Sequence, residues 1–165
     1  MNIIRNFVFF IILLIVQVLV LNHIRLFGCA TPLLYTYFVL PMQRNQAKWT
    51  TLLWCFALGL AVDTFSNTPG VAAATMTLAA LVQPYLLELF VPRDSADDLT
   101  PTFRTLGVSK FVSYTIILVL ICCRSFFTIE AFNLYNWMQW ASSILGSTAI
   151  TAILILVIEN VRDRK

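Results

Sequence analysis

Charge is scarce in this chain. Only 12% of its 165 residues are charged and 59% are hydrophobic, where a soluble domain carries about 25% charge and about 45–50% apolar residues. There are too few charged side chains to coat a water-facing surface, so an ordinary soluble globule is not expected. The same imbalance excludes disorder, a collagen-like fibre and a disulfide-rich secreted module.

Histidine is nearly absent, with His23 alone. A zinc protease of the H-E-x-x-H kind needs two histidines. A serine–histidine pair would have to use His23, which lies near the end of an apolar run, and no G-x-S-x-G accompanies it. His23 reads as an interfacial side chain. No G-x-x-x-x-G-K-[ST] or G-x-G-x-x-G stretch offers a phosphate cradle. No paired acidic motif suits catalytic Mg²⁺. Four cysteines, Cys29, Cys55, Cys122 and Cys123, sit in or beside apolar runs without a C-x-x-C pair, and they read as small hydrophobic residues. The eleven Lys and Arg against eight Asp and Glu give a net charge of +3. That excess is scattered between apolar runs, so no nucleic-acid partner is expected. Neither an enzyme nor a bound cofactor is expected.

What the chain has is apolar length. Six runs cover approximately residues 7–21, 29–40, 51–65, 71–91, 108–123 and 137–158. A bilayer requires every backbone group to be paired internally, so these runs are expected to be helices. The alternation of an outer-membrane barrel strand is missing. The fold class expected is an all-α integral membrane protein, a six-helix transmembrane bundle forming one domain over residues 1–165. The run at 29–40 is short and contains Pro32, which leaves a re-entrant segment open there. About 20 residues make a perpendicular span, and Lys48 and Lys110 can snorkel to lengthen two of the shorter runs. The run after Arg5 reads as a first span, not as a cleaved signal peptide, because Asn22, His23 and Arg25 separate it from Cys29.

Orientation follows from Lys and Arg. With six spans and a cytoplasmic N-terminus, Arg5, Arg44, Lys48, Arg93, Arg104, Lys110, Arg162, Arg164 and Lys165 lie inside, and Arg25 and Arg124 outside. Removing one span would break that division. Both termini are therefore expected in the cytoplasm. The stretch 92–107 reads as a hydrated cytoplasmic linker, with a docking segment as the alternative.

Polar or conformationally special residues inside such runs are the candidates for function. Asp63 sits at the end of an apolar run and needs a partner; Ser66, Asn67 and the N–H groups opening the next helix are local candidates. Asn67, Thr68, Pro69 and Gly70 form a turn signature, in which Pro69 fixes φ and Gly70 permits a positive φ or close helix approach. Gly70 with Ala74, and Ala72 with Met76 and Ala80, give four-residue spacings of mostly small side chains that let helices approach. Ser142 with Gly146, and Ser143 with Ser147 and Thr151, repeat the device in the last run. Pro84 is expected to kink the fourth run, and Gln83 to satisfy groups freed across the bundle. Glu88 lies one turn on. Trp49, Trp54, Trp137 and Trp140 fit an interfacial aromatic belt.

Together these residues carry a resemblance. Pro32-Leu33-Leu34-Tyr35-Thr36-Tyr37-Phe38-Val39-Leu40-Pro41, then Trp49, then Gly59-Leu60-Ala61-Val62-Asp63-Thr64-Phe65, then Asn67-Thr68-Pro69-Gly70 and an Ala-rich helix ending in Gln83-Pro84 resemble the bacterial rod shape-determining MreD family over about residues 28–90. The C-terminal half is similar mainly in length and hydropathy. The resemblance implies a non-enzymatic membrane subunit of the cell-elongation complex in the cytoplasmic membrane. Its implied partners are MreC, the actin-like MreB, RodA and the elongation-type penicillin-binding protein. It also implies a likeness in architecture to the six-helix substrate-binding subunits of energy-coupling-factor transporters. A small-molecule-binding transport subunit is thus the alternative, and the Ala-x-x-x-Ala docking motif typical of their first span is missing from residues 1–21.

Overall fold

The structure is a computed structural model that describes residues 3–24, 30–43, 46–92, 95, 99–131 and 136–164. Among the described residues the chain is helical, without a strand. Helix α1 spans Ile3–Leu19, α2 Lys48–Ser66, α3 Val71–Phe90, α4 Phe103–Leu106, α5 Val108–Glu130 and α6 Trp137–Asp163. Helices α2, α3, α5 and α6 are long and apolar enough to cross a membrane, and α1 is a shorter apolar helix of 17 residues. These helices mark the chain as a membrane protein. Packing follows chain order: α2 against α3, α3 against α5, and α5 against α6.

One expected helix is not there. The described part of residues 29–40 forms a single 3₁₀ segment, Leu34–Phe38, and every residue from Leu33 to Leu40 is buried. The expected six-helix bundle is corrected to five long helices around a non-helical segment. Prolines explain the difference. Pro32 has no N–H to give, and Pro41 restricts Leu40 before it, leaving too few residues between them for a spanning helix.

Backbone groups left out of a helix must find other partners in an apolar interior. Here the surrounding helices supply them. Gln17 of α1 donates to the Pro32 carbonyl at 3.0 Å and accepts from the Leu34 N–H at 2.9 Å. Ser147 and Thr151 of α6 accept from the N–H groups of Thr31 and Leu33 at 3.1 and 3.0 Å. Gln83 of α3 donates to the Met42 carbonyl at 3.2 Å. Lower on the segment, the Tyr37 hydroxyl donates to Glu159 of α6.

The partners on α6 progress from Ser147 through Thr151 to Glu159, about 18 Å at the rise of an α-helix. The segment therefore runs alongside α6 in the same direction. It runs opposite to α1, because Gln17 near the end of α1 meets its start and Phe9 near the beginning packs edge-on to Tyr37 at 5.4 Å. Phe9 also stacks on Phe38, and Phe10 meets Phe38 and Trp54 edge-on. The chain thus returns along α1 without forming an α-helix.

The described part of 92–107 is not a free linker. Thr102 and Thr105 cap α4 reciprocally, Leu106 is buried, and Phe103 packs on Phe111 of α5 with ring centroids 4.7 Å apart. Arg104 pairs with Asp163 at the end of α6 at 2.7 Å. The pair is exposed, so it adds little stability.

Replacing Gln17 by leucine strands both the Pro32 carbonyl and the Leu34 N–H, at about 1–3 kcal/mol for each group. We expect Gln17→Leu to keep its helicity in detergent but to melt well below the wild type by circular dichroism. Gln17→Glu retains an acceptor for Leu34 and should melt between the two.

Candidate functional site

The turn between α2 and α3 is built around Asp63. Helix α2 ends at Ser66, with Asn67 in the left-handed region at φ 56° and its N–H bonded to the Asp63 carbonyl. Gly70 takes φ 82° as the residue before α3. Four orphan N–H groups open any helix, and their end of the helix dipole attracts negative charge. Asp63, from the last turn of α2, reaches them. Its Oδ1 accepts from the Ala72 N–H at 2.9 Å and the Thr68 hydroxyl at 3.0 Å, and its Oδ2 accepts from the Ala73 N–H at 2.9 Å. Asp63 is 4% exposed, and these three hydrogen bonds close the hairpin. Asn67, Pro69 and Gly70 are solvent-accessible and shape the turn, without closing on another helix.

Close approach belongs to Gly59, one turn before Asp63. A Cβ there would lie 2.4 Å from the Ala73 Cα and 2.8 Å from the Ala72 carbonyl oxygen, whereas a Cβ on Gly70 would meet nothing within 4 Å. The expectation that Gly70 permits close packing is corrected: its role is the positive φ, and Gly59 provides the contact. Ala72, Met76, Ala79 and Ala80 line the buried face of α3, and Ala74 faces outward. The pairing of Gly70 with Ala74 is therefore not a buried seam.

The other expected site residues divide in the same way. Gln83 is buried against Met42, and α3 continues through Pro84 to Phe90. Glu88 is exposed, and Tyr85 lies under the Lys48 ammonium at 5.7 Å. Ser142 is exposed and returns a hydrogen bond to the Gln139 carbonyl of its own helix. Gly146 faces Ala30, whose Cβ would lie 3.3 Å from a Cβ there. The buried row Ser143, Ser147 and Thr151 does more than pack, since two of its hydroxyls hold the non-helical segment. Cys55, Cys122 and Cys123 are free and buried; Cys29 lies outside the described residues.

A second polar centre was not singled out by sequence. Glu159 is 2% exposed and accepts from Tyr37 and, at 3.4 Å, from Arg162 Nη1. Arg162 Nη1 also donates to the Tyr37 oxygen at 3.0 Å. The available signal was an acid one turn before an arginine at the end of an apolar run, a spacing that brings the two together on one helix face. Its long-range partner, Tyr37, had no local mark. Among the described residues no three His, Cys, Asp or Glu side chains converge on a metal-sized site. Each polar centre described is engaged in holding one element against another.

No family model, curated protein or solved structure matches the chain.

The clasp makes a graded prediction. Asp63→Ala releases two helix-opening N–H groups, and a lost cap is worth about 1–2 kcal/mol. We expect its melting temperature to fall most, with Asp63→Asn intermediate because one acceptor oxygen remains. Gly59→Leu should prevent the α2–α3 contact and lower stability more than Gly70→Ala, which meets only backbone strain of about 1–2 kcal/mol. Thermal unfolding in detergent orders the four variants.

Proposed function

We propose that the chain is a non-enzymatic membrane scaffold of the bacterial cell-elongation machinery, of the MreD kind. In this reading it helps couple MreC and MreB to the peptidoglycan synthases RodA and the elongation-type penicillin-binding protein. Six passes put both termini in the cytoplasm, one pass being the non-helical segment 30–43. The mechanism is assembly: differential binding favours one arrangement of the partner complex, and no bond is made or broken in this subunit.

The observation that carries this reading is the use made of the motif residues. Asp63 closes a helix hairpin whose turn Asn67 and Gly70 shape, Gly59 brings its two helices together, and Gln83 holds the end of the Tyr-rich segment. The stretch that carries the resemblance is thus spent on fixing shape, which is what a scaffold needs from it. Broad apolar surfaces on α1, α2 and α6 remain exposed, including Phe7, Leu53 and Leu145, and suit lipid or partner helices.

Depletion of the chain from a rod-shaped bacterium should round the cells, and tagged protein should bring down MreC. Asp63→Ala should reduce that recovery in step with its loss of stability. Normal rods after depletion, together with a small molecule retained through purification and identified by mass spectrometry, would replace this reading with the transport-subunit one.

A further inference from the structure

A pocket of about 370 Å³ opens where α1 begins and α6 ends. Its polar wall includes Arg5 and Asn6 from the first turns of α1 and Arg162 from the last turn of α6. Its apolar wall includes Phe9, Phe38 and Met42. Among the described residues no carboxylate lines it. Arg5 is exposed and has no ion-pair partner among the described residues. The Asn6 Nδ2 is buried without a hydrogen-bond partner. Arg162 engages Tyr37 and Glu159 through Nη1, and it also lines the pocket.

Two cations and an amide donor are thus gathered beside an apolar floor, and among the described residues only Arg162 of the three is shown meeting an acceptor through its side-chain nitrogens. Glu159 neutralises part of the Arg162 charge and fixes that guanidinium in place, while Arg5 has no countercharge among the described residues. Guanidinium groups match phosphate oxygens in a planar, two-point geometry. The apolar floor suits the carbon chain attached to such a phosphate. The pocket lies at one end of helices of membrane-spanning character, the depth at which lipid headgroups sit. We propose that it is a binding site for the phosphate of an anionic membrane lipid, with Arg5, Asn6 and Arg162 holding the headgroup.

The site is tested on the full-length chain in detergent with equal amounts of phosphatidylglycerol and phosphatidylcholine. Native mass spectrometry reads the lipid retained. Phosphatidylglycerol should be retained in preference, and Arg5→Ala should weaken its retention about fivefold, the weight of one basic side chain at an anionic surface. Arg5 is exposed and unpaired, so this variant should melt as the wild type does without added lipid. Arg124→Ala, on α5 toward the opposite end of the bundle, should retain lipid normally. Equal retention of the two lipids, or an unchanged Arg5→Ala, overturns the proposal. Displacement of phosphatidylglycerol by millimolar inorganic phosphate assigns the pocket to free phosphate and overturns the lipid site.

Discussion

The rest of the structure depends on one requirement: the backbone of residues 30–43 must be hydrogen-bonded although it forms no α-helix and lies in the core. Helices satisfy their own backbones, and so are free to be apolar on every side. A non-helical stretch has no such independence in an apolar surround. Its short 3₁₀ turn and the bonds beside it satisfy some of its own groups, and at several of the remaining N–H and C=O groups side chains from elsewhere are the partners. Gln17, Ser147, Thr151 and Gln83 are those side chains, and they come from three different helices. The segment consequently works as a central strut. It cannot shift along α6 without breaking bonds to α1 and α3 as well. Close packing on Phe9 and Phe10 keeps the same register.

This requirement also explains why part of the fold was legible in sequence and part was not. Asp63 was readable because its solution is local: a carboxylate ending one helix, a turn signature, and the orphan N–H groups of the next helix follow within ten residues. Gln83 was readable as a donor in search of a partner, though not the partner itself. The segment 29–40 reads as a short apolar run, helical or re-entrant, because hydropathy measures burial, and a buried strut is as apolar as a span. Its two prolines carried the contrary signal. Ser147 and Thr151 were misassigned for a related reason. Small hydroxylated residues at a four-residue spacing look like a packing seam, and only the distant Thr31 and Leu33 reveal that they accept hydrogen bonds. The long-range half of each pair, as with Tyr37 and Glu159, leaves no trace in local pattern.

Gly59 and Gly70 show the same limit at finer scale. Both are compatible with close helix approach, and sequence favours the one inside the turn. The geometry assigns them different tasks, because Gly70 lies at the rim where its φ matters and Gly59 lies on the face that meets α3. Between helices in lipid there is little hydrophobic drive, so van der Waals contact carries more of the association. A glycine against the backbone of Ala73 maximises that contact. Asp63 then fixes the rotation of α3 about the contact, since its two oxygens must meet two successive N–H groups.

Helix α3 joins the two devices. Its first turn is held by Asp63, and Gln83, a little more than three turns later, holds Met42 at the exit of the strut. A helix is stiff along its axis, so the hairpin clasp and the strut cannot be adjusted separately. Movement of α3 away from Asp63 would pull Gln83 from Met42 and loosen the end of the segment that carries Tyr37. Tyr37 in turn steadies Glu159 and Arg162, which lines the pocket at that end. Asp63, Gln83, Tyr37, Glu159 and Arg162 are therefore not isolated from one another. They form a connected path from the α2–α3 turn, through α3 and the strut, to the end of α6. A bundle tied in this way holds one arrangement of its outer apolar faces, and a fixed arrangement of faces is what the proposed scaffold role requires.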